Sequence, residues 1–195
     1  NMMSINIAIV GTGNAAQTHV ETYKEMPDIN VKWVVSRSVD QAEKFCKKMG
    51  VGTATESLDD VLRDPEIQIV DIISLPHLHL DQARKALDAM KDVFIEKPIS
   101  INFEDARRFY DDYNQSSQGI LVIYQYPYSE TFQTFGELVC SKRFGALKAY
   151  RVTYFSQRSS DYYGTWTSDP TQSGGGVLIN SGIHFINLVM KFIGY

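Results

Sequence analysis

The segment from residue 11 to residue 16 has the residue types that hold the pyrophosphate of a dinucleotide. It follows the apolar run from Ile5 to Val10 and precedes a helical pattern. In such a GxGxxA arrangement the first glycine permits a tight turn, the second lets the backbone approach the anion, and the alanine keeps the helix close to the strand. The helix N-terminus then faces the anion. We predict a dinucleotide site formed by Gly11, Gly13, Asn14, Ala15 and Ala16; the alternative is a glycine-rich turn without a ligand.

The residues after the second apolar run favour NADP over NAD. An acidic residue commonly stands here and accepts hydrogen bonds from the adenosine ribose. This chain instead has Ser36, Arg37 and Ser38, and a cation between two hydroxyls suits a 2′-phosphate through charge-assisted hydrogen bonds. If Arg37 stacks on the adenine or points to solvent, NAD is the alternative.

Two further segments end predicted strands at the edge where open α/β sheets bind ligands. The first contains Leu75, Pro76 and His79, and the second contains Glu96 and Lys97. Taken singly, the lysine is typical of a surface side chain at a strand end and the histidine of a helix cap. Their occurrence together favours a site, and Pro98 restricts Lys97 to extended geometry. We predict that these five residues contact the cofactor.

Asn180 and His184 lie one turn apart on the predicted last helix, where they interrupt an otherwise apolar pattern. Gly174, Gly175 and Gly176 stand just upstream. A histidine in such a place is either a satisfied core residue or a group that faces a cleft, and the spacing alone does not decide between them.

Alternating strands and helices precede Tyr124 and predict a doubly wound parallel sheet. The predicted strands are 5–10, 31–35, 67–75, 93–96 and 120–124, and the predicted helices are 15–26, 38–49, 80–90 and 103–113. Ser38 with Gln41 forms a capping box, Gly50 follows a helix end, and Asn102 caps the last of these helices. The fold class is therefore α/β, with a Rossmann domain over residues 1–124.

The pattern changes in residues 125–195, which we assign to the first part of a second domain. A helix near 130–141, a strand over 146–155, a polar and aromatic loop over 156–176 and a helix over 177–193 are predicted. An isolated strand leaves its backbone groups unpaired. We therefore expect either further chain or a partner to complete the sheet of an open α+β domain.

Composition excludes several classes of protein. A net charge of -4 disfavours nucleic acid and anionic membranes as partners. No run of 18 apolar residues and no secretory leader is evident, so we expect a cytoplasmic protein. Cys46 and Cys140 have no metal or redox spacing and are expected to be buried free thiols; no metal site is predicted.

Together these motifs resemble the Gfo/Idh/MocA family of oxidoreductases over the whole chain. The resemblance rests on the segment at 11–16, on Pro76 with His79, on the triplet 96–98, and on the glycines followed by residues 180–184. It implies a Rossmann domain followed by an open antiparallel sheet domain, of which this chain holds only the beginning. It also implies NAD(P)-dependent hydride transfer at a secondary alcohol or carbonyl of a sugar or polyol, and assembly as a homodimer or homotetramer.

The same resemblance implies roles for particular side chains. Lys97 and His184 would be catalytic, with His184 as base and cationic Lys97 stabilising a developing oxyanion. The implied substrate contacts are made by Lys97, Gln125, Tyr163, Trp166, Asn180 and His184. Tyr163 and Trp166 would stack on a sugar ring, or else close the core of the second domain.

Several positions depart from the family pattern. Asn180 stands where many members have aspartate, and it lacks the charge that would raise the basicity of its neighbours. The segment around Tyr162 to Trp166 is similar to a nucleotide-sugar 3-dehydrogenase branch that also has asparagine there, which favours a nucleotide-sugar substrate. Asp161, Thr167 and Tyr126 differ from that branch.

The sequence is compatible with two alternatives to a sugar dehydrogenase. In one, the fold binds dinucleotide as a non-catalytic sensor or regulatory protein, and Asn180 marks lost competence. In the other, the same chemistry acts on a linear aldehyde, an imine or a tetrapyrrole.

Overall fold

The computed structural model of this protein describes residues 4–193. These residues form two compact units, one ending at Ile123 and the other beginning at Tyr124.

The first unit is built on a six-stranded parallel sheet. Its strands are β1 (Ile5–Val10), β2 (Ile29–Val35), β3 (Thr53–Thr55), β4 (Ile67–Ile72), β5 (Asp92–Glu96) and β6 (Ile120–Ile123). Their order is β3-β2-β1-β4-β5-β6, and every neighbouring pair is parallel. Strands β1 to β3 are added toward one edge of the sheet and β4 to β6 toward the other, so the strand order reverses between β1 and β4. The predicted Rossmann architecture is confirmed.

Five helices connect the strands of this sheet. They are α1 (Asn14–Lys24), α2 (Val39–Met49), α3 (Leu58–Arg63), α4 (His79–Asp88) and α5 (Phe103–Tyr113). A short 3₁₀ turn, Pro76–Leu78, precedes α4.

Apolar side chains cover both faces of the sheet. Ile7 and Ile9 belong to one core cluster, whereas Ala8 and Val10 belong to the other. Successive side chains of a strand point to opposite faces, so a strand buried on both faces reads as an apolar run, as in residues 7–10 of β1.

The predicted helix boundaries of α2 and α5 are confirmed by their caps. The Ser38 hydroxyl accepts a hydrogen bond from the Gln41 amide at 3.4 Å, and Gly50 ends α2 with a φ of 65°. Asn102 Oδ1 accepts from the Asp105 amide at 3.1 Å.

The sequence did not predict β3 or α3, and the predicted strand 67–75 is longer than β4. β3 has three residues and α3 has six, which is too short for a clear periodicity. β4 ends at Ile72 rather than Leu75, because the chain turns there toward the proline.

The second unit is helical in the residues described. It contains a 3₁₀ turn (Tyr126–Tyr128), α6 (Glu130–Cys140), α7 (Ser160–Tyr163), a 3₁₀ turn (Trp166–Ser168), α8 (Pro170–Ser173), a π-turn (Leu178–Gly182) and α9 (Ile183–Phe192).

The predicted strand over 146–155 is wrong for this structure. These residues have no regular secondary structure, and all but Tyr150 are exposed. Because no neighbouring strand is present among residues 124–193, their backbone groups have no ladder to join.

The two cysteines differ in exposure. Cys46 is half-buried, but Cys140 is exposed, so the expectation of a buried thiol is wrong there. Within residues 4–193, no helix has the length and apolar character needed to cross a membrane.

Candidate active site

The loop between β1 and α1 leaves the backbone at Gly13 exposed next to the N-terminus of α1. Gly11 has a φ of 115°, and its amide donates to the Val35 carbonyl at 2.9 Å. A Cβ at this position would lie 2.5 Å from the Ile73 carbonyl oxygen, so only glycine fits. At Gly13, by contrast, no heavy atom from other parts of the described chain lies within 4 Å of where a Cβ would be.

The first turn of α1 is suited to an anion. Asn14 and Ala15 are exposed, whereas Ala16 is fully buried against the sheet. The first amides of a helix have no partner within the helix and carry partial positive charge. The open space at Gly13 and these amides together fit the pyrophosphate of a dinucleotide.

The segment after β2 borders this loop. The Ser36 and Thr12 hydroxyls lie 3.1 Å apart, and Ser36 Oγ donates to Gln41 Oε1 at 3.2 Å. Ser38 is occupied as the cap of α2. Arg37 is exposed and makes no salt bridge with another described residue.

The turns after β4 and β5 are linked through His79. This ring is 1% exposed. Its Nδ1 lies 2.8 Å from the Pro98 carbonyl, and its Nε2 lies 3.1 Å from the Ser74 carbonyl. Burial lowers the pKa of His79, although both carbonyls favour its charged form. His79 therefore holds the turn of Leu75 and Pro76 to the turn after Lys97, and a direct contact with cofactor stays a prediction.

Lys97 follows β5 directly, is half-buried and precedes a cis peptide bond to Pro98. Burial lowers the pKa of Lys97, and the negative charge of Glu96 partly opposes that effect. A lowered pKa makes a lysine a better proton donor, so Lys97 is a candidate acid or base group.

One buried cluster of polar side chains was not predicted from the sequence. Asp71 on β4 is fully buried and accepts hydrogen bonds from Tyr23 Oη and His19 Nδ1, each at 2.8 Å. His19 Nε2 lies 3.3 Å from Glu96 Oε1. The available signal was an acidic residue inside the apolar run 67–75, since a buried carboxylate requires polar partners.

In the second unit, His184 is packed among aromatic rings. It is 6% exposed, and its ring stacks on Tyr126 with centroids 4.5 Å apart and planes 18° apart. Tyr124 meets the same ring edge-on at 6.4 Å. Phe132 stacks on Tyr126 at 5.5 Å, so the plane of His184 is set by a column of rings.

Asn180 lies in the π-turn that precedes α9 and donates from Nδ2 to Tyr162 Oη at 2.6 Å. Tyr163 is 62% exposed, Trp166 is half-buried and Gln125 is exposed. The second unit therefore brings Asn180 onto Tyr162 and His184 onto Tyr126. Contacts of Gln125, Tyr163 and Trp166 with a substrate stay predictions.

Both units match models of known protein families. Residues 5–124 match the Gfo/Idh/MocA family model, described as an oxidoreductase family with an NAD-binding Rossmann fold. Residues 132–195 match the model of a Gfo/Idh/MocA C-terminal domain.

Individual relatives are distant in sequence. Levoglucosan dehydrogenase from Pseudarthrobacter phenanthrenivorans is 23% identical over 99% of this chain and 52% of its own length. D-glucoside 3-dehydrogenase from Escherichia coli is 23% identical over 98% of this chain and 54% of its own length. The chain thus spans about half the length of these curated relatives.

Solved structures share the fold. The apo form of levoglucosan dehydrogenase superimposes with a TM-score of 0.89, at 23% identity, over 99% of this chain and 53% of that one. GenD2 from gentamicin A biosynthesis, solved with NAD, gives a TM-score of 0.83 at 22% identity over 100% of this chain and 55% of that one.

Proposed function

This chain belongs to the Gfo/Idh/MocA family of oxidoreductases, and we propose that the protein that contains it transfers hydride between a nicotinamide dinucleotide and a secondary alcohol or carbonyl of a sugar. The substrate class includes polyols and nucleotide sugars. The proposal draws support from the sugar dehydrogenases among its relatives.

The observation that carries the proposal is the placement of Lys97. This residue follows β5, and the loop at Gly11 follows β1, so both leave the same carboxyl edge of one parallel sheet. That edge is where open α/β sheets bind their ligands. A half-buried lysine with a lowered pKa at this edge suits an alcohol and carbonyl interconversion.

The nicotinamide would supply the hydride acceptor or donor. Gly13 and the first turn of α1 bind and orient the pyrophosphate. In alcohol oxidation, His184 accepts the hydroxyl proton, and the Lys97 ammonium stabilises negative charge on the substrate oxygen. In carbonyl reduction, the protonated His184 donates the proton back to the substrate oxygen, on which Lys97 stabilises the negative charge that forms as hydride is added.

For the cofactor we propose a preference for NADP(H). Arg37 is exposed at the end of β2, between two serines, in the place where an acidic residue would favour NAD. Its lack of a salt bridge with the other described residues leaves the guanidinium available for a phosphate.

For assembly we propose a homodimer or homotetramer. The irregular segment 146–155 exposes Leu147, Val152, Tyr154 and Phe155, the last at 92%. Exposed apolar side chains that cluster in one segment are typical of a surface that binds another protein. Sedimentation of the full protein tests this proposal, and a monomer at all concentrations would contradict it.

A non-catalytic dinucleotide sensor is the second candidate, and Asn180 favours it because an amide replaces the carboxylate of many family members. Replacement of Lys97 and His184 distinguishes the two candidates. A sensor keeps its dinucleotide response without them, whereas an enzyme loses orders of magnitude in turnover.

The test is a turnover screen of the full protein with sugars, polyols and nucleotide sugars in the presence of NAD⁺ or NADP⁺, read by absorbance of the reduced cofactor. We expect at least one secondary alcohol to be oxidised, and expect Lys97→Ala with His184→Ala to abolish the signal. Absence of dinucleotide binding in calorimetry would refute the proposal.

A further inference from the structure

Three ionisable side chains form a row in which His19 of α1 lies between Asp71 of β4 and Glu96 at the end of β5. His19 Nδ1 lies 2.8 Å from Asp71 Oδ2, and His19 Nε2 lies 3.3 Å from Glu96 Oε1. The exposed fractions of the side chains are 13% for His19, 0% for Asp71 and 15% for Glu96. The row therefore lies within the fold and connects three separate elements.

The geometry defines the charge on His19. Each ring nitrogen faces a carboxylate, and a carboxylate only accepts, so both nitrogens must donate. Burial lowers the pKa of His19, but the hydrogen bonds and charges of Asp71 and Glu96 outweigh burial and raise it from 6.5 to about 9. Tyr23, the remaining titratable group at this carboxylate, donates to Asp71 and stays neutral because burial and Asp71 raise its pKa. At neutral pH His19 is an imidazolium between two carboxylates.

Glu96 is held at both oxygens. Oε1 faces His19, and Oε2 accepts a hydrogen bond from the Lys97 backbone amide at 3.0 Å. The carboxylate therefore fixes the backbone from which the Lys97 side chain departs. Its charge also favours the charged form of Lys97, and the strength of that effect depends on where the carboxylate is held.

We propose that His19 is a positioning residue for Lys97. By holding the Glu96 carboxylate against the Lys97 amide, it keeps that carboxylate from pairing directly with the Lys97 ammonium. The inference rests on the proposed dehydrogenase function, in which Lys97 acts on the substrate oxygen. It also joins α1, whose first turn would bind the pyrophosphate, to the residue that would act on the substrate.

The chain offers a matched control for His19 in Tyr23. Both side chains leave the same helix and donate to the same oxygen of Asp71, and His19 also reaches Glu96 through its second ring nitrogen. His19→Gln should therefore disturb Lys97, whereas Tyr23→Phe should disturb only the buried carboxylate.

Steady-state kinetics on the full protein gives the first readout. We expect His19→Gln to lower kcat by about 10- to 100-fold, a range typical of lost positioning, with KM and the dinucleotide Kd within about 3-fold of wild type. We also expect the limb of the pH profile that reports Lys97 to move upward. Tyr23→Phe should keep kcat within about 3-fold. Equal losses in both variants would overturn the proposal.

An NMR titration of the Lys97 side chain gives a readout that needs no substrate. We expect the Lys97 pKa to rise by about half a unit or more in His19→Gln, because Glu96 then pairs with the ammonium, and to stay unchanged in Tyr23→Phe. An unchanged or lowered pKa in His19→Gln, or the same rise in both variants, would overturn the proposal. If no substrate is turned over but the titration behaves as expected, the proposed function fails while the positioning link stands.

Loss of a buried cation beside Asp71 is destabilising in itself. The double variant His19→Gln/Asp71→Asn therefore accompanies the single one, because it removes the buried carboxylate charge together with its partner. The same rise in the Lys97 pKa is expected in this variant, and its absence there counts against the proposal.

Discussion

The imidazole of His184 stacks face to face on the phenol ring of Tyr126, with centroids 4.5 Å apart. Tyr126 is one of the positions that depart from the pattern of the nucleotide-sugar branch. The departure places an aromatic ring directly against the proposed base, so the substitution affects the orientation of that base.

Replacement of Tyr126 by leucine is expected to lower kcat about 5-fold, because an aromatic pair contributes about 1 kcal/mol beyond its buried area. Tyr126→Phe keeps the ring and is the matched control, with a kcat close to wild type. Initial rates on the best substrate of the screen provide the measurement. Equal rates for the leucine variant and wild type would show that stacking does not orient His184.

The two glycines of the nucleotide loop should respond differently to alanine. Gly13→Ala is expected to keep the melting temperature, because no heavy atom from other parts of the described chain lies within 4 Å of the new Cβ, but to weaken dinucleotide binding about 10-fold or more by blocking the approach of the pyrophosphate. Calorimetry and thermal unfolding separate the two effects.

Gly11→Ala, unlike Gly13→Ala, is expected to unfold at a lower temperature than wild type in addition to binding dinucleotide more weakly. Its Cβ would meet the Ile73 carbonyl, and its φ of 115° is unfavourable for any other residue, with a cost of about 1 to 3 kcal/mol. An alanine variant at Gly11 as stable as wild type would contradict the geometry of this turn.

Removal of the Arg37 guanidinium is expected to change cofactor preference. Arg37→Ala should raise the Kd for NADP(H) about 10-fold or more through the loss of charge-assisted hydrogen bonds, and leave the Kd for NAD(H) within about 2-fold. Arg107→Ala removes an exposed arginine from α5 and controls for net charge. A parallel weakening of both cofactors would refute the assignment of Arg37 to the 2′-phosphate.

The buried imidazolium makes stability depend on pH in a defined window. His19 has a folded pKa raised to about 9, so its stabilisation is complete below the unfolded value of 6.5 and is lost as the pH rises through about 9. The shift corresponds to about 3 kcal/mol.

Urea unfolding at about pH 6 and about pH 10 measures this contribution. The difference in unfolding free energy between wild type and His19→Gln should be largest at the lower pH and shrink at the higher one. A difference independent of pH would mean that His19 is neutral in the fold.

Local signals in the sequence predicted most of the first unit. Gly13, Ser38 and Asn102 each precede a helix and act through neighbours within four residues, so spacing alone carries the information. The second unit was harder, because the segment 146–155 has strand-like composition but no partner strand among residues 124–193, and strand formation depends on such partners.

The polar cluster was not predictable in the same way. Asp71 meets His19 and Tyr23 across 52 and 48 positions of chain, so no local pattern joins them. The acidic residue in β4 indicates that a partner exists, but only the strand order, which sets β4 beside β1 and β5, determines which residues reach it.

The central position of β1 has a consequence for synthesis of the chain on the ribosome. The nucleotide loop is supported from both sides, since the Gly11 amide donates to Val35 and the Ile73 amide donates to the Val10 carbonyl. Synthesis proceeds from the N-terminus, and Ile73 lies about sixty residues after the loop. A nascent chain therefore completes the hydrogen bonds that support the dinucleotide loop only after β4 has emerged, so we expect the loop to bind cofactor only from that point of translation onward.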